Sequence, residues 1–173
     1  MNTAVYCIAV DTPHAEHIVG NLKHAGFSSN EISVLLPAKG ATRDFAHEQH
    51  TKLPEGAAAG GAAGMGVGAI LGWLAGIGTL AIPGIGPFIA AGPLMAALGG
   101  AAVVGAAGGI IGGLVGMGIP EYEAKLYEGK VRGGNVLISV HTESSDQVKA
   151  AKKIFEDAKA EDIKSTSEAS APA

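Results

Sequence analysis

Cysteine, aromatic residues and long basic runs are all scarce in this sequence. A single cysteine, Cys7, excludes an internal disulfide framework and is typical of a reducing compartment. Aromatic residues make up 5% of a chain that is 47% hydrophobic, so most of its apolar side chains are small and bury little area each. The net charge is −4 and no long basic patch could neutralise phosphates, so we expect no nucleic-acid partner.

Charge is absent from residues 56–120, whereas both flanks carry ordinary mixtures of acidic and basic residues. This distribution predicts an α/β domain whose two halves, residues 1–53 and 121–165, are separated by an apolar insert at 54–120. The last residues, 166–173, are small and polar, and we expect them to form a disordered tail. The N-terminus lacks the basic region and the long apolar run of a signal peptide, which predicts a cytoplasmic start.

Each flank shows the pattern of a strand, a helix and a second strand. In the first, short apolar strands at 3–10 and 32–37 enclose a helix that Asp11 or Thr12 can cap and Gly26 can end. In the second, a strand at 135–142 precedes a helix capped by Ser145 or Asp146 and a short strand near 162–165. Together they predict an α+β fold, a ferredoxin-like βαββαβ domain with the insert between its second and third strands.

The insert places glycine at strict helical spacing. One row of small residues four apart forms a groove on a helix into which another backbone can pack closely, an arrangement called a glycine zipper. Two apolar segments, 57–82 and about 94–119, predict a helical hairpin with such rows as its packing interface. The predicted interface residues are Gly56, Gly60, Gly64, Gly68, Gly72, Gly76, Gly105, Gly108, Gly109, Gly112, Gly113 and Gly116.

Between the two segments lies a turn that contains no charge. Prolines and glycines interrupt any helix here, and they predict a hairpin turn at Pro83, Gly84, Gly86 and Pro87. Each interior glycine costs about 1 kcal/mol of helix stability relative to alanine, so burial outside the helix itself must enforce the helical state. A bilayer or a tightly packed protein assembly could supply that burial.

The first hypothesis is membrane insertion. Each segment exceeds the roughly 20 residues that a helix needs to cross a bilayer. Basic residues occur only in the flanks, which places both termini in the cytoplasm and the protein on the cytoplasmic side of the inner membrane. Tyr122 and Tyr127 then serve as interfacial anchors, or alternatively as residues of an ordinary amphipathic helix.

At the level of sequence, three stretches resemble a bacterial family described as general stress or heat-induced stress proteins. They are TRDFAHEQHTKLPEGAAAGGAAG, AIPGIGPFIAAGPLMAAL and GIPEYEAKLYEGKVRGGNVLISVH, and the resemblance extends over about residues 3–163. It implies a short α/β domain interrupted by a glycine-zipper segment. The family name describes when such proteins are made and implies no chemistry.

Candidate catalytic and metal-binding residues are few. His14 and His17, and also His47 and His50, have i, i+3 spacing, but no further ligand cluster accompanies them, so solvated histidine pairs are favoured over a metal site. Cys7 lies in an apolar strand and is expected to be an inert buried thiol. We expect no enzymatic activity, no cofactor and no bound metal, and no small-molecule ligand is identified.

Three functions follow from these patterns. The first is a non-enzymatic stress-response protein that inserts its hairpin into the membrane, contacts lipid and forms homo-oligomers that stabilise or remodel the bilayer. The alternative is a soluble, cytoplasmic, self-assembling scaffold whose hairpins pack together as a shared apolar core. A third, weaker hypothesis is a ligand-sensing module, which rests on fold analogy alone.

Overall fold

A computed structural model describes residues 2–37, 78–82, 86–93 and 109–167. Within these residues the chain forms an antiparallel sheet packed against helices, which confirms the α+β part of the predicted fold. The strands are β1 (Thr3–Ala9), β2 (Ile32–Pro37), β3 (Gly78–Ile82), β4 (Gly86–Ala91), β5 (Val136–Thr142) and β6 (Glu161–Ser167). The helices are α1 (Thr12–His24), α2 (Gly109–Gly116), α3 (Glu121–Arg132) and α4 (Ser145–Asp157).

The sheet has the strand order β3-β4-β2-β5-β1-β6, and every neighbouring pair is antiparallel. Its centre is formed by β2, β5 and β1, whose residues are almost all buried, as their β-branched apolar sequences predict. Pairing between Cys7 and Ile138 and between Val34 and Ile138 fixes the register across these three strands.

Helices α1 and α4 cover one face of the sheet. The buried residues of α1 recur at helical spacing, and Phe155 of α4 is fully buried in the same cluster. Cys7 projects into this cluster from β1, and burial raises the pKa of its thiol. The cysteine is therefore held in its protonated, unreactive form, as the sequence predicts.

Helices α2 and α3 cover the opposite face. Their buried side chains pack on the even-numbered residues of β1, among them Tyr6, because alternate residues of a strand face opposite sides of the sheet. The core of the opposite face comprises Ala4, Tyr6, Ile8, Leu35, Ala90, Ile110, Leu114, Ile119, Ala124, Tyr127, Val131 and Leu137. The described part of the chain therefore has three layers, with the sheet in the middle.

Side-chain caps define where two of the helices begin. Asp11 accepts a hydrogen bond of 2.8 Å from the backbone N–H of His14 and so caps α1, as predicted. The cap of α4 is Ser144, which forms a capping box with Gln147, so the prediction of Ser145 or Asp146 is wrong by one or two residues.

All four helices end in the same hydrogen-bonded turn, a Schellman motif, which requires a left-handed residue just after the helix. Glycine occupies that position after α1, α2 and α3, as Gly26, Gly118 and Gly134. After α4 the position is filled by Lys159, with φ of 57°, although the backbone hydrogen bonds are the same.

Replacing Lys159 with glycine should therefore stabilise the protein by about 1 kcal/mol, because glycine adopts positive φ without a Cβ penalty. Chemical denaturation would measure the change. Ala158→Gly is the matched control, since Ala158 has a right-handed φ of −82° and glycine there should be neutral or destabilising. Equal effects of the two substitutions would contradict the prediction.

Two predicted boundaries are wrong. Residues 78–82, the end of the predicted first hairpin helix, form β3, and β4 begins within the predicted turn, at Gly86. The physical reason is that β4 pairs with both β3 and β2, so the backbone polar groups are satisfied within a sheet. The predicted disordered tail also begins too early, because β6 continues to Ser167.

Candidate assembly surface

Helix α2 is the described part of the predicted second zipper segment. Ile110 and Leu114, four residues apart, are fully buried against α3 and the sheet. One face of α2 is therefore packed in the core of its own chain.

The turn after α2 fixes the direction of this helix. Gly118 has φ of +95°, and the N–H of Ile119 donates to the carbonyl of Leu114 at 3.1 Å. Both Ile119 and Leu114 are buried, which is the hydrophobic contact typical of a Schellman motif. The hydroxyl of Thr166 in β6 donates to the carbonyl of Gly118 at 2.9 Å and ties the turn to the sheet.

The other face of α2 is made of glycine and valine. A Cβ built on Gly112 or Gly116 meets no heavy atom within 4 Å among the described residues, apart from the backbone of its own helix. Val115, between them in sequence, is 42% exposed. We call Gly112, Val115 and Gly116 the glycine face; it is shallow, apolar and open to the approach of another backbone.

The two predicted glycine rows of this segment have different surroundings. Gly112 and Gly116 belong to the row that forms the glycine face, whereas Gly113 of the adjacent row is buried. Gly109 is the first residue of α2. The remaining predicted interface residues lie outside the described residues, and these are Gly56, Gly60, Gly64, Gly68, Gly72, Gly76, Gly105 and Gly108.

The predicted hairpin turn is described only in part. Gly86 and Pro87 are the first residues of β4, where they pair with Ile82 and Ala81 of β3. Pro83 and Gly84 lie outside the described residues.

The two tyrosines predicted as interfacial anchors occupy contrasting positions on α3. Tyr122 is 80% exposed. Tyr127 is fully buried, its ring centroid lies 6.1 Å from that of Tyr6, and its hydroxyl donates to the carbonyl of Asp162 at 2.9 Å. Burial, and secondarily the carboxylates of Glu123 and Asp162, raise the pKa of the Tyr127 phenol. Tyr127 is thus a core residue of an amphipathic helix, the alternative that the sequence leaves open.

The prediction of membrane insertion is wrong. Among the residues that the structure describes, no helix combines the length and hydropathy needed to cross a bilayer. Gly86 and Pro87 of the predicted hairpin turn instead belong to the sheet, because they begin β4, which pairs with β2 from Val34↔Ala91 to Pro37↔Phe88. The predicted transmembrane helix and the predicted position at the inner membrane both rested on this insertion and are not supported. Tyr127 is buried in the core of the chain, so it is not an interfacial anchor.

The two predicted histidine pairs are described only in part. His14 has both ring nitrogens engaged, one near the N–H of Val10 at 3.2 Å and the other 2.7 Å from the carbonyl of Ala158. His17 lies beside Asn21, and within the described ranges no three His, Cys, Asp or Glu residues form a group that could hold a metal. His47 and His50 lie outside those ranges.

One buried polar row, in the middle of the sheet, is not among the predicted features. Ser33 of β2 and Ser139 of β5 are fully buried and pair directly across the two strands, and Ser33 Oγ lies 3.5 Å from Nε2 of His141. The signal was serine inside two otherwise apolar strands, ISVLLP and VLISVHT. Ser139 Oγ has no hydrogen-bond partner within the described part of the chain. No substrate can reach hydroxyls that are 0% exposed, so this row is structural in the conformation seen.

Comparisons with known families, proteins and structures identify no relative of this chain. The chain matches no protein-family model, no curated protein and no solved structure.

Proposed function

We propose that this chain is a non-enzymatic, self-assembling scaffold in which the uncharged, glycine-rich segments of several copies pack together as a shared apolar core. The observation that carries the proposal is the glycine face of α2, where no atom of the described residues would contact a Cβ at Gly112 or Gly116, although Ile110 and Leu114 on the opposite face are fully buried. Residues 56–120 contain no charge that would favour exposure of the remaining insert to water.

The free-energy cost of glycine in a helix supports a packing role for the glycine face. Glycine at Gly112, in the interior of α2, costs the helix about 1 kcal/mol relative to alanine. No contact within the described residues requires the missing side chains, because a Cβ at Gly112 or Gly116 would have free space. Close approach of a helix from another copy explains why side chains are absent there, and it would also cover Val115.

For the finer fold we propose a ferredoxin-like unit made of β1, α1, β2, β5, α4 and β6. The order β2-β5-β1-β6 with antiparallel neighbours, and α1 and α4 on one face, support this proposal. The insert would then comprise β3, β4 and α2, with α3 joining it to β5. Strands β3 and β4 extend the sheet beyond β2, so the insert is a mixed segment rather than a purely helical hairpin.

We also propose that the chain belongs with the bacterial general stress proteins that its sequence resembles. Abundance of the native protein before and after a heat shift would test this membership, and an unchanged level across heat, oxidative and osmotic stress would count against it. The assembly proposal stands independently of the stress that induces the protein.

Sizing of the native full-length chain by light scattering, without detergent, tests the assembly directly. We expect a particle of several copies. Gly112→Leu should raise the concentration at which half the chains assemble by about tenfold or more, equivalent to about 1.4 kcal/mol, because leucine fills the glycine face. The same substitution should leave the stability of the single chain unchanged or higher, since leucine is the better helix former.

Gly129→Leu is the matched control. Gly129 is also a helical glycine with no atom within 4 Å of a built Cβ in the described residues, but it lies on α3 outside the glycine face. It should leave assembly unaltered. A monomeric native chain, or equal loss of assembly from both substitutions, would refute the proposal.

A further inference from the structure

The two edges of the described sheet differ in a way that bears on assembly. Edge strands present unpaired backbone N–H and C=O groups, and proteins that remain apart usually protect them with charges, bulges or short lengths. Strand β6 forms one edge and β3 the other.

The β6 edge carries several protective features. Its sequence includes Glu161, Asp162 and Lys164, and Asp162 adopts a left-handed φ of 49°. Its pairing with β1 also shifts register between Tyr6 and Ile8. Such an irregular, charged strand is a poor template for a further strand.

The β3 edge, although only five residues long, has neither a charge nor a bulge. Its sequence, GTLAI, contains no charge and no proline. It pairs with β4 without a register shift, from Gly78↔Ala90 to Ile82↔Gly86. Because alternate backbone groups of a strand point to opposite sides, about half of those in β3 point away from β4, and no further strand pairs with them within the described residues.

We propose that the free edge of β3 pairs antiparallel with β3 of a second copy of this chain, so that one sheet continues through both. Charge matching selects this partner, since β3 of the second copy is as uncharged as the first, whereas its β6 carries three charged residues. The sheet formed by the described strands has one such edge, so pairing through it closes as a two-fold symmetric dimer. This inference deepens the proposed self-assembly and rests on it, with the glycine face supplying a separate contact between dimers.

The symmetry of such a pair gives a sharp geometric signature. Opposed residues in an antiparallel pair lie on the same face of the sheet, so a two-fold axis normal to the sheet passes midway between one residue and its own copy in the second chain. The Cβ atoms of directly opposed residues are about 5 Å apart, whereas the next residue along lies too far from its own copy for a disulfide.

Cysteine scanning of β3, with the native Cys7 retained, tests this signature in the full-length chain. Cysteine is introduced in turn at Gly78, Thr79, Leu80, Ala81 and Ile82, and each variant is oxidised under mild conditions. The native Cys7 is fully buried and serves as the internal unreactive thiol. We expect high yield of disulfide-linked dimer at one position only, with at least a tenfold lower yield at its two neighbours.

Ser165→Cys on the exposed part of β6 is the matched edge control and should not form linked dimers. The same samples are sized before oxidation and checked for folding by circular dichroism. Thr79→Lys, which adds an edge charge without removing a backbone donor, should lower the dimer fraction in a folded chain.

The outcomes separate the two proposals. A chain that assembles but yields no linked dimer at any β3 position, or yields it equally at neighbouring positions and at Ser165→Cys, overturns β3 pairing while leaving self-assembly in place. A chain that is monomeric at every concentration overturns both.

Discussion

Replacing Gly92 with alanine should lower the free energy of unfolding by at least about 3 kcal/mol and release β4 from β2. Gly92 has φ of +78°, a region that residues with a Cβ rarely adopt. A Cβ built there would overlap the backbone oxygen of Ile32 and lie 3.0 Å from Cα of Ser33. Both obstacles are backbone atoms of β2, so no side-chain rearrangement can relieve the clash.

Two measurements would record this result. Chemical denaturation gives the loss of stability, and hydrogen exchange of the backbone amides in β2 reports whether its pairing with β4, from Val34↔Ala91 to Pro37↔Phe88, has opened. Self-assembly should also weaken, because β3 is joined to the sheet only through β4 in the described strand order.

Gly26→Ala is the control for conformation alone. Gly26 has φ of +96°, but a Cβ there meets no atom within 4 Å in the described residues. Its replacement should cost only about 1 kcal/mol and leave the β2 amides protected. Equal losses for the two variants would show that positive φ, and not contact with β2, makes Gly92 necessary.

The flanks were predictable because short-range chemistry decides them. Asp11 accepts a hydrogen bond from a backbone N–H in the first turn of α1, and Gly26 adopts positive φ just after its last turn. Both effects act within one helical turn, and both residues occur where the sequence predicts. The cap of α4 was missed because Ser144, Ser145 and Asp146 are all suitable caps, and only the backbone conformation selects Ser144.

The structure of the insert was harder to predict, because an uncharged segment can bury its side chains and pair its backbone in several different structures. A segment such as GTLAI can satisfy its backbone groups as a helix in a bilayer or as a strand beside another strand, and its composition does not distinguish them. The pairing of β4 with β2 selects the strand conformation, and this long-range pairing is not encoded in any local sequence pattern. The length of the two apolar segments therefore predicted helices in a bilayer, whereas residues 78–82 and 86–91 are strands that pair within the sheet.

The candidate surface could be predicted in its spacing but not in its orientation. Gly112 and Gly113 belong to two adjacent rows with the same four-residue period. Only the burial of Ile110 and Leu114 on one side of α2 shows that the row containing Gly112 faces outward. The four-residue spacing shows which glycines share a face of the helix, whereas the fold determines what that face contacts.

Tyr127→Ala should cost about 3–5 kcal/mol of unfolding free energy, as expected for loss of a large aromatic side chain from a packed core. Tyr127 is fully buried between α3 and the sheet, beside Tyr6, and its hydroxyl reaches the carbonyl of Asp162 in β6. Tyr127→Phe keeps the ring and removes only that hydrogen bond, so it should cost about 1 kcal/mol. Denaturation of the three proteins under conditions of equal assembly would measure both values.

Tyr122→Ala, five residues earlier on the same helix, is the matched control. Its ring is 80% exposed, so its removal should change stability by no more than about 0.5 kcal/mol. The contrast tests the assignment of the two tyrosines, because paired anchors on a common surface would respond alike to truncation. A core Tyr127 requires a large loss at one position and almost none at the other. Similar small losses at both would mean that α3 does not cover the sheet as described, and the glycine face, which α2 presents by packing on α3, would lose its support.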